Sequence, residues 1–206
     1  MTMMPLDHLP AVLQLLAAQG AQRSYRKGAL ILQDGEQGDS IYILITGRAR
    51  AFGASLSGKE ITYGYVSAGE YFGEMTLDGG TRSASVEAME ACVCSVVTNT
   101  QVQAFMEQHP NFAKEMLHTV IARARQSTNS ARDIALLDVY TRLKHTIEKH
   151  APDIGSSLNI SHAELAADIG ASREMVSKLL KDLEQGAYIE MKSRQLSVLK
   201  KLPARW

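Results

Sequence analysis

Cysteine is nearly absent from this chain: Cys92 and Cys94 are the only two in 206 residues. With no cluster of thiols, a cysteine-ligated iron–sulfur centre is disfavoured. The pair, separated by Val93 on one predicted strand, is expected to face opposite ways, not to bridge, and to serve as packing residues. Long apolar runs are also missing, and none approaches the roughly 18 to 20 residues that span a bilayer. The start, Met1-Thr-Met-Met-Pro-Leu-Asp-His, lacks a basic segment followed by an apolar one. A cytoplasmic protein without a membrane partner is therefore expected. His8, His118, His145, His150 and His162 are scattered, with no clear axial pair for haem, so they read as surface or packing residues and no metal is expected. No nucleophile stands with a base in a recognisable set, and an enzyme is not expected.

Net charge is absent too, with 22 Lys/Arg against 22 Asp/Glu, but the two parts of the chain differ. Residues 1–140 carry 11 basic against 14 acidic side chains, a net −3, whereas 141–206 carry 11 against 8, a net +3. The basic excess lies downstream, where a nucleic-acid partner would need it. The length and a 45% hydrophobic content suit two small domains with real cores.

Residues 6–19 read as a short helix, after which the chain to about 97 alternates apolar segments with glycine-rich and acidic turns. Strands are predicted at Ala29–Leu32, Ile41–Ile45, Ala49–Phe52, Ile61–Val66 and Ser85–Val97, with turns at Gly35, Gly38-Asp39, Gly47, Ser57-Gly58 and Gly69. Short strands at this spacing suggest a small barrel or jelly roll that can hold a ligand. Within it, Gly69 to Ala88 packs a glycine-rich turn, one acid and one arginine into a phosphate-sized cradle. Gly73 lets backbone approach a ligand closely, and the N–H groups of the helical turn after it can face an anion. Arg82 supplies a fork of donors for a phosphate, and Ser83 adds a hydroxyl and an N–H. Glu74, an acceptor beside an anion site, makes sense if it binds ligand hydroxyls such as a ribose 2′-OH, or if it orients Arg82.

Phe72-Gly73-Glu74-Met75-Thr76-Leu77 followed by Arg82-Ser83-Ala84 resembles the phosphate-binding cassette of the cyclic-nucleotide-binding domain, whose common form runs F-G-E-[LM]-[AS]-L, a loop, then R-[ST]-A. Asp34 to Gly47 is similar to the entry hairpins of that fold, so the resemblance covers most of the first half.

A short helix at 100–108 precedes Pro110, which starts a long helix running to about 137 without proline or glycine inside it. Leu117, Val120, Ala124, Ser127, Ala131 and Ile134 recur at spacings of three and four, the seam of a parallel homodimer. Small and polar residues at 124, 127 and 131 weaken that seam, as suits a contact tuned by ligand. Ser127 and Thr128 set neighbouring hydroxyls there, one for the chain's own pocket and one for the partner's. In the catabolite activator family a Thr-Ser pair on this helix binds adenine from both subunits; the order is inverted here, which leaves base selectivity open. Leu137-Asp138-Val139 is also found at the corresponding place in that family, and Asp138 is a good N-cap for a new helix.

Ser161-His-Ala-Glu164 is a capping box. With Ala166, Gly170 and Val176 at helix-turn-helix offsets, it predicts helices over 162–168 and 173–184, the second capped by Ser172. Residues near the start of that second helix, Ser172, Arg173, Glu174, Ser177 and Lys178, are the candidates to meet DNA in a major groove. Arg173, Glu174 and Lys178 resemble the Arg-Glu-three-residues-Arg set of the catabolite activator family, with Lys for the last Arg. Arginine can bind guanine bidentately and glutamate can accept from cytosine N4, which favours TGTGA-like half-sites. Lysine, a point donor, leaves the innermost base open. Segments 187–191 and 196–199 complete a wing, and Lys192 and Arg194 in its turn can reach phosphate.

Taken together, the chain is identified as a member of the catabolite activator/FNR family, with an α+β fold. The expected order is a cyclic-nucleotide-binding β-roll (1–109), a dimerisation helix (110–137) and a winged helix-turn-helix (138–206). The resemblance implies a homodimeric transcription regulator without catalytic activity, with cAMP as effector and double-stranded DNA and RNA polymerase as partners; the 151–159 loop is the polymerase-contact candidate. Two alternatives stay open: a cyclic di-GMP-responsive or ligand-independent regulator of the same family, and a cyclic-nucleotide-binding regulatory module that does not bind DNA.

Overall fold

The computed structural model describes residues 4–56 and 58–206, so the first three residues and Ser57 of the predicted 57–58 turn lie outside the described residues. The chain divides into two compact units, residues 1–53 with 63–124, and residues 54–62 with 125–206.

The first unit opens with α1 (Ala11–Ala17), shorter than the predicted 6–19 because Pro10 precedes its first turn and the chain ahead of it is not helical. Eight strands follow: β1 (Ala21–Tyr25), β2 (Leu30–Leu32), β3 (Ser40–Thr46), β4 (Arg48–Ala54), β5 (Glu60–Ser67), β6 (Tyr71–Phe72), β7 (Ser85–Ala88) and β8 (Cys92–Thr98). They form two four-stranded sheets, in the orders β1-β8-β3-β6 and β2-β7-β4-β5. The single strand expected over 85–97 is therefore two strands. At Met89 the backbone N–H turns to the Arg48 carbonyl, and the chain passes from one sheet to the other.

Strand β3 shows why its sequence is apolar without alternation. Ile41, Ile43 and Ile45 pack beneath α1, α2 (Asn99–Gln108) and the first turns of α3 (Pro110–Leu136), while Tyr42 and Leu44 enter the interior of the roll. Both faces are covered, so both must be apolar. Cys92 and Cys94 both join that interior cluster as buried free thiols. The expectation that they face opposite ways fails for a simple reason: residues two apart on a strand share a face. Burial pushes the Cys94 thiol up to about 12, which leaves it an inert packing group.

Helix α3 continues to Leu136 and ends where Asp138 caps α4 (Val139–His150), accepting from the Thr141 N–H at 2.7 Å. In the second unit, α5 (His162–Ile169) and α6 (Arg173–Gln185) agree with the predicted helices to within a residue at each end. Both halves of the Ser161/Glu164 capping box are formed, and Gly170 adopts the left-handed conformation (φ 62°) that the turn requires. Leu165, Val176, Leu180 and Leu183 are sealed in one core with Leu143 and Ile147 of α4. Strands β10 (Ile189–Lys192) and β11 (Gln195–Val198) make the wing, and β9 (Ser157–Asn159) pairs with β11 as a third strand. The end of the predicted 151–159 loop is thus part of the wing sheet. Among the described residues no helix is long and apolar enough to cross a membrane.

Glu164 ties the box to the wing. Burial raises its carboxyl, but bonds from the Ser161 hydroxyl and N–H and from Arg194 outweigh it, and the net shift is downward. A depressed carboxyl contributes stability that is present above its ordinary value of about 4.3 and is lost as the pH falls through its lower folded value. Glu164→Gln should therefore lower stability at neutral pH and make its decline with acid shallower, as measured by urea unfolding between pH 7 and pH 3.

Candidate functional site

The cradle is built on the 3₁₀ turn Glu74–Asp78, which follows β6. Gly73 caps it in the left-handed region (φ 84°), and a methyl group there would stand 2.6 Å from Arg82 Nη1, so glycine is required on both counts. Arg82 is 5% exposed. Its Nη1 donates to the Gly73 carbonyl at 2.9 Å and to Thr76 Oγ1 at 3.4 Å, and its guanidinium lies 5.7 Å from the centre of the Tyr42 ring. Its side-chain partners are neutral oxygens. Burial pulls the guanidinium below its ordinary value, opposed by Tyr42, Asp39, Glu36 and Glu74. A buried cation with no ion-pair partner among the described residues is a strong electrostatic invitation to an anionic ligand.

Glu74 is 8% exposed and pairs with Arg123 of α3, Oε1 to Nη1 at 2.8 Å. The ion-pair partner of Glu74 is Arg123, whose Nη2 also donates to the Tyr71 carbonyl at 2.7 Å. Ser83 is exposed at the rim, its hydroxyl 3.0 Å from Met75 Sδ.

Sequence reasoning passed over four residues that shape the cradle. Thr76 bonds the Gly73 carbonyl through its hydroxyl, and Asn99 Nδ2 donates to the Thr76 carbonyl at 2.9 Å, anchoring the 3₁₀ turn to the start of α2. Gly38, read only as a turn residue, lies where a methyl group would run into Arg82 Nε. Arg123 was missed although it stands four residues before Ser127, on the same face of α3.

Ser127 and Thr128 lie on the exposed part of α3. Along that helix Leu117 is 57% exposed, and Ile121, Ile134 and Leu136 are exposed as well.

In the helix pair of the second unit, Ser172 accepts from the Met175 N–H at 3.2 Å, so its hydroxyl caps α6. Val176, Leu180 and Leu183 turn inward, leaving Arg173, Glu174, Met175 and Lys178 exposed. Ser177 Oγ is 2.8 Å from His162 Nδ1, a contact across the two helices that the sequence did not reveal. In the wing, Lys192 Nζ pairs with Glu190 at 2.9 Å, and Arg194 Nη2 spans both Glu164 oxygens at 2.8 and 2.6 Å.

Comparison with known proteins matches residues 22–109 to the cyclic nucleotide-binding domain and 135–203 to the Crp-like helix-turn-helix domain. The chain is 27% identical over 210 residues to the cAMP-activated global transcriptional regulator Vfr of Pseudomonas aeruginosa, covering 95% of this chain and 98% of that one. It is 29% identical over 191 residues to the cyclic AMP receptor protein of Thermus thermophilus, covering 91% and 88%. Among solved structures, the c-di-GMP responsive regulator CLP of Xanthomonas campestris shares the fold with a TM-score of 0.82 at 22% identity, over 91% of this chain and 98% of that one.

Gly38→Ala should lower stability by about 1–3 kcal/mol, the usual cost of overpacking, in urea unfolding. Because the clash is with the Arg82 side chain, most of that loss should vanish when the substitution is made in an Arg82→Ala background.

Proposed function

This chain belongs to the catabolite activator/FNR family of transcription regulators, and we propose that it acts as a homodimer that binds cAMP and, in response, reads palindromic TGTGA-like DNA. The observation that carries the reading is the buried Arg82 guanidinium, set against neutral oxygens of the turn that carries an ion-paired Glu74. In the proposed complex Arg82 neutralises the cyclic phosphate, Gly73 allows close backbone approach, and Ser83 contributes its hydroxyl and N–H. Glu74, paired with Arg123, accepts from a ribose hydroxyl. Ser127 and Thr128 reach the purine from the chain's own and the partner helix, so that ligand and dimer seam are coupled. Binding shifts the population toward one seam arrangement, which through Asp138 sets two recognition helices about one DNA turn apart.

We assign residues 1–109 to effector binding, 110–137 to dimerisation and 138–206 to DNA binding. The family models end and begin near these limits, and Asp138 caps a new helix at the second of them. On α6, Arg173, Glu174 and Lys178 read base edges, Ser172 and Ser177 support that surface, and Lys192 and Arg194 exchange their carboxylate partners for phosphates. The 151–156 segment, where Ile154 is 67% exposed, is the proposed contact for RNA polymerase, and the protein works in the cytoplasm without a catalytic role. The inverted Ser127-Thr128 order leaves base selectivity open, and the second reading has cyclic di-GMP as the effector.

Calorimetric titration with cAMP, cGMP and cyclic di-GMP separates the two: tight cAMP binding supports the first, and a response to cyclic di-GMP alone replaces it with the second. Arg82→Ala should cost about 2–5 kcal/mol of cyclic-nucleotide affinity, as expected for a buried charge left without its partner; unchanged binding removes the cradle assignment.

Base reading and phosphate holding are separable. Arg173→Ala should cost about 1–3 kcal/mol on the preferred palindrome and flatten selection at one base pair per half-site. Lys192→Ala should weaken preferred and random duplexes alike and reduce the salt dependence by about one counterion per subunit. Selection on randomised duplexes at two salt concentrations measures both, and an unchanged motif for Arg173→Ala overturns the choice of α6 as the reading helix.

A further inference from the structure

Helix α6 buries one side and shows the other. Val176, Leu180 and Leu183 are sealed in the core of the second unit, and Leu179 packs against it. Every other exposed residue of the helix, from Arg173 to Gln185, carries a charge or an amide, as a solvated face does. Met175 is the exception. It is 49% exposed and belongs neither to the core cluster nor to the partly buried side chains packed against that cluster. Packing of the unit therefore does not account for a long apolar side chain at this position.

Its place on the helix narrows what it can meet. Met175 stands in the first turn beside Arg173 and Glu174, three residues before Lys178. Ser177, two residues on and so about 200° round the helix, is turned to α5, its hydroxyl 2.8 Å from His162 Nδ1. Met175 thus projects from the opposite flank, away from α5. Its N–H is already engaged, because the Ser172 hydroxyl accepts from it at 3.2 Å. What the residue has left to offer a duplex is its thioether chain. In a major groove the first turn of a recognition helix lies nearest the base edges. Those edges are hydrogen-bond donors and acceptors with one apolar exception, the C5-methyl group of thymine. A methionine pressed on any other edge, or on a phosphate, strips water from a polar group and returns no hydrogen bond. On the methyl group both surfaces gain, and three rotatable bonds let the side chain follow it.

We propose that Met175 is a specificity-determining residue that reads thymine by its C5-methyl group, adding an apolar contact to the polar ones of Arg173, Glu174 and Lys178. The assignment rests on the reading of α6 as the helix that enters the groove. It commits one A·T pair in each half-site to Met175. Because no phosphate charge is neutralised there, this contact adds selectivity without adding to the salt dependence.

The probe is the duplex that the full chain selects most strongly from a randomised library, with cAMP, with cyclic di-GMP and with neither. Each thymine of a half-site is replaced in turn by deoxyuridine, which removes the methyl group and keeps every hydrogen-bonding group of the base. At one position the replacement should weaken wild type about fourfold, as expected for one buried methyl group. Met175→Ala should bind the thymine duplex at least as much more weakly, and the same replacement should cost that variant nothing further. Any change in stacking acts on both proteins alike and cancels in the comparison. Met175→Leu, which keeps an apolar chain, should retain the dependence on the methyl group, and the salt slopes of all three proteins should coincide. If every deoxyuridine replacement weakens Met175→Ala as much as wild type, or if the selected half-sites hold no thymine, the assignment falls while α6 keeps its role. If Arg173→Ala leaves the selected motif unchanged, α6 is not the reading helix and the assignment falls with it. A chain that selects no duplex under any of the three conditions loses the DNA reading itself, and this residue's part in it.

Discussion

A guanidinium buried against neutral oxygens is the constraint on which the first unit depends. Arg82 can be sealed at 5% exposure only because the backbone comes close on two sides, at Gly38 and at Gly73, where side chains are sterically excluded. Desolvation works against the cation, and the Gly73 carbonyl and Thr76 hydroxyl compensate only in part. The remaining electrostatic deficit is what an anion can satisfy. The supporting shell follows from the same need: Thr76 and Asn99 hold the 3₁₀ turn still, so that the carbonyl facing Arg82 does not drift.

The Glu74–Arg123 pair extends this arrangement from the roll to the long helix. Glu74 meets Arg123 in a buried place, and Arg123 is itself oriented by the Tyr71 carbonyl. A change at the 3₁₀ turn is therefore felt on α3 four residues before Ser127. That physical link, a charge pair across two elements, is what makes a ligand-tuned seam on the same helix a mechanical possibility rather than an analogy.

In the second unit the corresponding constraint is capping. Ser161 with Glu164, and Ser172 with the Met175 N–H, fix where α5 and α6 begin, and Val176, Leu180 and Leu183 fix the rotation of α6. Arg173, Glu174 and Lys178 face outward as a consequence of what faces inward. The Arg194–Glu164 pair then ties the wing to the cap, joining two surfaces that a DNA duplex would have to meet together.

Local chemistry determined much of this from the sequence alone. The capping boxes, the glycine turn at 170, the uninterrupted run after Pro110 and the Phe72 to Ala84 cassette each carry their meaning within a few residues, so helices, turn and cradle were legible. The alternation of strands was legible too, except where a single apolar run hid the crossing at Met89 and where β1, with its polar sequence, gave no periodic signal. What needed the tertiary structure was every pairing between distant segments. Nothing near Glu74 in the sequence pointed to Arg123, its ion-pair partner from 49 positions away. Gly38 was an ordinary turn glycine until the fold laid Arg82 across it. Sequence patterns record which face of an element is buried; which charged or polar group stands opposite is decided by packing.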